Sequence, residues 1–217
     1  TGKYTSLLWE PNEYINIMVY PFTDSQILGI STFPYSLKDF FLEGTQQVSA
    51  SWITLENLSF PYCISINSSY IYEQSTDERI NQNDAAITLA HELGHYLGLR
   101  HVFSEGGTTS MCTDTDYCKD TPSYNRSEYE QWLNNLDKQN KYQLKDLAKR
   151  YSCEKGEYEA HNIMDYAYCF YNEITLEQRK RIRHILNYSP LIPGPKESRI
   201  DTRGVQDRLN LPICIMK

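Results

Sequence analysis

Three histidines and a glutamate fall within His91-Glu92-Leu93-Gly94-His95-Tyr96-Leu97-Gly98-Leu99-Arg100-His101, the pattern H-E-x-x-H-x-x-G-x-x-H. On a helix, residues four apart lie one above the other on one face. His91 and His95 can therefore direct two ring nitrogens at one ion. Glu92 stands one step round the helix and can reach a water held there. Gly98 can take a positive φ without a Cβ penalty, so the helix can stop and the chain can turn back. The turn returns His101 as a third ligand. Three protein ligands leave a fourth tetrahedral position open to water, the arrangement of a catalytic rather than a structural zinc site. A bare H-E-x-x-H arises by chance in many helices, and the extension through Gly98 and His101 is what makes the signal specific. A buried helix avoids stacked histidines, because each needs a polar partner.

The elements that must position this stretch are legible around it. Residues 14–20 are apolar and β-branched and stop at Pro21, which predicts a central strand. Residues 27–33 predict a second strand ended by Pro34, with Gly29 marking a bulge or a close backbone approach. Residues 35–50 read as loop with a short helical or extended piece. A strand is expected at 51–57 and another within 62–72. The histidine-bearing helix is predicted from about Asp84 to Leu97, capped by Asn83 or Asp84 and packing through Ile87, Ala90, Gly94 and Leu97.

Beyond His101 the pattern changes. Residues 104–125 form a long loop rich in Gly, Ser, Thr and Asp, a length that is usually functional or tied down. Asp114, Asp116 and Asp120 crowd oxygen atoms there, which suits calcium and equally suits a solvated acidic turn. Ser127-Glu128-Tyr129-Glu130 is a capping box opening a helix with Trp132, Leu133 and Leu136 on its apolar side. Helical patterning resumes at Leu144, Leu147 and Ala148. Thr175-Leu176-Glu177-Gln178 is a second capping box. It opens a helix to about Asn187 with Ile182, Ile185 and Leu186 inward, ended by Pro190, Pro193 and Pro195. The basic run Arg179, Lys180, Arg181 and Arg183 around His184 reads as a solvated face, and His161 as a structural residue. Strands first and helices later predict an α+β or mixed α/β domain.

Composition narrows the partners. The 217 residues suffice for one domain with a real core, and the net charge of −7 argues against nucleic acid or an anionic membrane as the main partner. No apolar run approaches the roughly 18 residues of a membrane span. The chain opens at Thr1 without a signal peptide and reads as a mature or trimmed fragment. Six cysteines, Cys63, Cys112, Cys118, Cys153, Cys169 and Cys214, are scattered without a C-x-x-C pair. With zinc already provided for by histidines, they read as disulfides of an oxidising compartment.

The zinc stretch followed by Asn162-Ile163-Met164-Asp165-Tyr166 resembles the metzincin metalloproteases, in which a methionine-bearing turn follows the third histidine. Within them the chain is most similar to the pappalysin family. The pieces that carry this are Trp9 with Tyr14-Ile15-Asn16-Ile17, Leu28-Gly29-Ile30-Ser31-Thr32-Phe33-Pro34, Asp120-Thr121-Pro122, and the methionine turn with Cys169. Residues 126–150 look like an insertion relative to the family. The resemblance implies one catalytic domain over residues 1–217, a metzincin-like zincin of α/β (α+β) class. Residues 1–101 would hold a twisted, mixed five-stranded sheet and the active-site helix. Residues 102–190 would form a loop-rich, helical C-terminal subdomain with the methionine turn, and 191–217 a tail.

The same resemblance implies roles. His91, His95 and His101 would bind Zn2+, Glu92 would be the general base, and Met164 would form an apolar floor under the metal. Tyr166 would stabilise the tetrahedral intermediate. Gly29, Ile30, Ser31, Thr32 and Phe33 would pair antiparallel with an extended substrate by β-augmentation. Calcium would sit among Asp114, Asp116, Asp120 and Thr121. The cysteine pairs would be Cys112–Cys153, Cys118–Cys169 and Cys63–Cys214. The family preference for a basic residue after the scissile bond would need an acidic pocket floor, for which Asp165 and Glu173 are the nearby acids. The expected function is that of a zinc-dependent metalloendopeptidase, a monomer acting on protein or peptide substrates, exported and bacterial. The alternative is an exported, non-catalytic binding or adhesion module on a metzincin fold, against which the intact Glu92 argues.

Overall fold

The computed structural model describes residues 5–49, 62–72, 74–105, 113–152, 154–194 and 196. Strand β1 covers Ile17–Tyr20 and starts later than expected. Asn16 turns its side chain back on Trp9, accepting from Trp9 N–H and donating to Trp9 O at 2.9 Å each, which closes a loop instead of extending the strand. Strand β2 is Gly29–Ser31, β3 Tyr35–Leu37, β4 Gln46–Val48 and β5 Ile64–Asn67. The main sheet has the order β1-β5-β2, with β1 parallel and β2 antiparallel to β5. It is mixed, as expected, but comprises three strands among the described residues, against the expected five. The strand predicted at 51–57 lies outside them. Among the described residues β5, whose four residues are all buried, is the strand with a neighbour on each side, and β1 and β2 flank it. Burial of the polar Asn67 is offset by hydrogen bonds: its Nδ2 donates to Ile27 O at 2.9 Å, and its Oδ1 accepts from Ser69 N–H at 3.1 Å. Strands β3 and β4 form a separate parallel pair where a loop was expected.

Helix α1 spans Ala85–Tyr96. Its N-cap is Asp84, as predicted, but the carboxylate accepts from Ser75 N–H at 2.8 Å instead of capping the helix. At its other end Gly98 sits at φ +86. Gly98 N–H donates to His95 O and Leu99 N–H to Gly94 O, both at 2.9 Å, the two bonds of a Schellman turn. Helix α2 is Arg126–Asn134, α3 Leu144–Leu147, and α4 Leu176–Tyr188, with the hairpin β6 (Lys149–Ser152) and β7 (Gly156–Glu159) between α3 and α4. Asn125, not Ser127, caps α2: its side chain accepts from Glu128 N–H, so the helix begins earlier than the Ser127 box implied. The Thr175–Gln178 capping box at α4 forms as expected.

Two clusters of buried side chains flank α1. One joins the sheet to α1 and α4 through Ile64, Ile66, Tyr96 and Ile185. The other lies under the chain after His101 and holds Leu99, Phe103, Tyr124, Tyr129, Met164 and Tyr171. The basic run on α4 is not uniformly solvated. Arg181 is buried because its guanidinium donates to Gly98 O and Glu43 O, tying α4 to the turn that ends α1. His161 is structural, with Nδ1 3.0 Å from Asn172 Oδ1 and its ring stacked on Phe170. No described helix is long and apolar enough to cross a membrane.

The cysteines depart from expectation. Cys63, Cys118 and Cys169 are buried free thiols, so neither Cys118–Cys169 nor Cys63–Cys214 is formed. Local polar partners take the sulfurs instead. Cys169 Sγ lies 3.2 Å from Ala160 O and 3.3 Å from Asn162 O, and Cys118 Sγ lies 3.6 Å from Asp116 O. Cys112, Cys153 and Cys214 lie outside the described residues, and with them the expected Cys112–Cys153 pair.

The turn at Gly98 has no room for a side chain: a Cβ there would meet Ile185 Cγ1 at 2.7 Å. Gly98→Ala combines left-handed strain with overpacking and should destabilise the fold by about 2–4 kcal/mol. A denaturant midpoint unchanged from the parent protein would refute this.

Candidate metal centre

The three histidines converge. Nε2 of His101 lies 3.2 Å from Nε2 of His91 and 3.0 Å from Nε2 of His95. Two nitrogens bound to one tetrahedral zinc at 2.0–2.1 Å lie about 3.3 Å apart. The tautomers are set from behind. His91 Nδ1 donates to Ile163 O and His95 Nδ1 to Leu99 O, both at 2.8 Å, which leaves both Nε2 atoms as lone-pair donors. Lone pairs facing each other at this separation repel unless a cation lies between them, and that is the observation by which the residues present fit a metal. Burial, then the neighbouring imidazoles, push His91 down to about 3; burial, then His101, push His95 down to about 4. Both rings are neutral ligands at neutral pH. Among the described residues, no other group of three or more His, Cys, Asp or Glu side chains converges in this way.

One contributor was not anticipated. Glu105 Oε1 makes a short contact with His101 Nδ1, giving the third histidine a carboxylate behind it as the other two have carbonyls. Arg100 Nη1 lies 3.5 Å from Glu105 Oε2, and Glu105 N–H donates to Thr115 Oγ1 at 3.0 Å. Its sequence signal was slight: an acid four residues past the last histidine.

Glu92 is buried beside the triad, and desolvation lifts its carboxyl to about 7. Its side chain lies against the backbone of β2, where a Cβ on Gly29 would fall 2.6 Å from Glu92 Cγ and 2.9 Å from Oε1. Gly29 is therefore the close approach expected from the sequence, and the group approached is the glutamate. Met164 is fully buried under α1, and Gly94 leaves space for it, since a Cβ there would meet Met164 Sδ at 2.4 Å. Tyr166 stands at the rim with its ring centroid 4.4 Å from that of His101 and 5.3 Å from that of His91. Burial, then the Glu92 charge, raises the Tyr166 phenol, so it stays protonated.

A cleft of about 420 Å³ opens beside the triad, lined by His91, Glu92, Tyr166 and the start of β2. Of the five expected substrate residues, Gly29, Ile30 and Ser31 form β2, the outer strand of the described sheet, with Ile30 exposed. Thr32 N–H donates to Cys63 O at 3.1 Å, and the Phe33 ring lies 4.9 Å from the Arg100 guanidinium. Residues 126–150 are not peripheral: Arg126 lies over the Tyr166 ring at 4.7 Å, and α2 walls the cleft.

The residues expected to bind calcium are engaged otherwise. Asp120 accepts from Thr175 Oγ1 at 2.7 Å and Glu177 N–H at 2.9 Å, at the start of α4. Thr121 Oγ1 donates to buried Asp116, whose other oxygen accepts from Cys118 N–H at 2.8 Å. Asp114 Oδ1 accepts from Asp116 N–H and Tyr117 N–H. Asp165, one of the acids expected for a basic guest, is 1% exposed and paired with Arg150.

Comparisons with known proteins agree with this geometry. The family model described as Pregnancy-associated plasma protein-A, Peptidase_M43, matches residues 44–187. An extracellular metalloprotease of Arthroderma otae is 32% identical over 184 residues, covering 83% of this chain and 51% of the relative. One from Arthroderma benhamiae is 37% identical over 108 residues, covering 48% of this chain and 32% of the relative. The chain thus spans about half or less of the relatives it matches. These relatives are fungal, which lends the expected bacterial source no support. Mature mirolysin of Tannerella forsythia, solved in complex with a cleaved peptide, is 20% identical with a TM-score of 0.45, covering 81% of this chain and 53% of that one.

Two outcomes are expected. Glu105→Gln should weaken zinc binding by about 10- to 100-fold in a chelator competition, and an unchanged affinity would remove Glu105 from the centre. The second concerns the metal-free fold. The Glu92 carboxyl titrates near 4.5 when exposed and near 7 when folded, so the fold binds its proton more tightly. Stability is lost as pH rises from about 4.5 through 7. Glu92→Gln should raise the metal-free melting temperature at pH 8, by up to about 3 kcal/mol of stability, and give little gain near pH 4. Equal gains at both pH values would contradict this.

Proposed function

The chain belongs to the peptidase family described as Pregnancy-associated plasma protein-A, and on that premise we propose that it is a zinc-dependent endopeptidase acting on extended polypeptides. The observation that carries this reading is the convergence of three Nε2 atoms beside a buried carboxylate in an open cleft. Zinc held by His91, His95 and His101 would supply Lewis-acid polarisation of the scissile carbonyl and a lowered pKa for the attacking water. The residues of the chain do the rest. Glu92 takes the proton from the attacking water and later delivers it to the leaving amine. Burial makes Glu92 a stronger base than an exposed glutamate, a shift that the charge of a bound zinc would oppose. Tyr166, protonated and at the rim, donates a hydrogen bond to the oxygen on which negative charge develops. The outer edge of β2 aligns the peptide through main-chain hydrogen bonds.

The fungal relatives are named extracellular, and we extend that address to this chain. With three free thiols among the described residues, support for export comes from the relatives and not from the cysteine count.

The test is cleavage of a denatured protein by the purified chain, with and without a zinc chelator. Chelator-sensitive cleavage is expected, restored by zinc. Glu92→Gln should bind zinc yet lose activity by about 10²- to 10⁴-fold. Full activity in Glu92→Gln, or cleavage indifferent to the chelator, would overturn the mechanism. Restoration by calcium but not by zinc would reassign the ion.

A further inference from the structure

The cleft is lined by His91 and by neither His95 nor His101, so it lies to one side of the triad. Its wall along the sheet is made by residues 26–29, at and before the start of β2, and by none of residues 30–33. A peptide running antiparallel to β2 sets its C-terminal part beside the N-terminal end of that strand. The cleft therefore receives the side chain that follows the scissile bond. We propose that this pocket selects an uncharged aromatic or large aliphatic side chain at that position and rejects lysine and arginine. The inference rests on the peptidase reading for the direction of the peptide.

The charge pattern carries it. The lining holds three acids; Glu92 faces the reaction, and Asp165 and Glu130 are each already paired with an arginine. Asp165 is the most buried of the three, and its Oδ2 is 3.4 Å from Arg150 Nε, the two side chains being 1% and 0% exposed. Its other oxygen already accepts from Tyr124 OH at 2.5 Å and Tyr166 N–H at 2.7 Å. A lysine or arginine entering here would set a second cation beside Arg150, with no acid left to compensate it. The other acid of the wall, Glu130, accepts from Arg126 Nε at 2.6 Å, and Arg126 is itself drawn over the rings of Tyr166 and Phe103. Beyond the uncharged polar groups of residues 26, 82, 83 and 88, the rest of the lining is aromatic and apolar: Tyr124, Tyr129, Tyr171, Ile87 and Ala167, with Tyr166 beside them. Rings of this kind favour an aromatic guest through edge and face contacts. The pocket thus departs from the basic preference implied by the family resemblance.

Two measurements on the zinc-loaded chain test this. Tripeptides that differ only in their first residue, phenylalanine, leucine, arginine or lysine, mimic the leaving side of the substrate and are titrated by calorimetry. The apolar pair should bind at least about tenfold tighter than the basic pair. Equal or tighter binding of the basic pair, or binding by none of the four, overturns the proposal. In parallel, a peptide library is digested and the residue after each cut is read. Cuts before arginine or lysine would overturn the pocket and leave the peptidase reading standing. The expected tripeptide order without chelator-sensitive cuts would do the reverse. Ala167→Asp supplies a gain-of-function control. Ala167 sits at φ +51, a conformation aspartate tolerates, and it lines the pocket. The variant adds an unpaired acid and should move the tripeptide order toward arginine and lysine; an order unchanged from the parent chain counts against the pocket.

Discussion

Three converging imidazole lone pairs, that of His101 3.2 and 3.0 Å from the other two, are the constraint on which the rest of this structure depends. Such an arrangement is repulsive in the absence of a cation, so it persists only because each ring is held from behind. The three anchors come from three separate segments: Ile163 O from the methionine turn, Leu99 O from the turn that ends α1, and the Glu105 carboxylate from the loop beyond. No single element can build the centre. The helix aims two rings, Gly98 reverses the chain, and the methionine turn must dock before the first ring has its partner.

That docking has its own supports. Asn162 and Gln178 exchange side-chain amide hydrogen bonds at 2.8 and 3.0 Å, tying the turn to α4. Val102 N–H donates to Met164 O at 3.3 Å, close to His101. Below lies the Arg150–Asp165 pair, with the Tyr129 ring 3.7 Å from the guanidinium. A buried ion pair of this kind adds little net stability, yet removing one partner strands a charge in the interior. Its position under Tyr166 means that the same pair holds the floor of the cleft and neutralises it. Structure and selectivity are coupled there through one carboxylate.

Local patterns were legible where their physics is local. The α1 span, its glycine stop and the Thr175 box follow from spacing and capping chemistry, and they stand as read. Patterns that depend on distant partners were not. Arg181 reads as one more exposed base on α4, but Gly98 O and Glu43 O bring it inside. Strand 14–20 reads as central by composition, and among the described residues it is β5 that has a paired strand on each side. Ser127 reads as a cap, but Asn125 reaches the helix N–H first. An even number of cysteines scattered through loops suggested bridges, and the described thiols instead lie against nearby carbonyl and hydroxyl groups.

The identity of the centre was legible in the sequence alone, because helix periodicity and one glycine place His91, His95 and His101 near one another with Glu92 alongside. What the cleft admits was decided only by tertiary structure. Asp165 looks in the sequence like an acid available to a basic guest, and Glu130 like an exposed charge on an inserted helix. Only the fold brings Arg150 against the first, turns Arg126 across Tyr166 beside the second, and sets Gly29 against the Glu92 carboxylate. Whether a charge is available depends on what lies within a few ångströms of it, and chain order does not carry that distance.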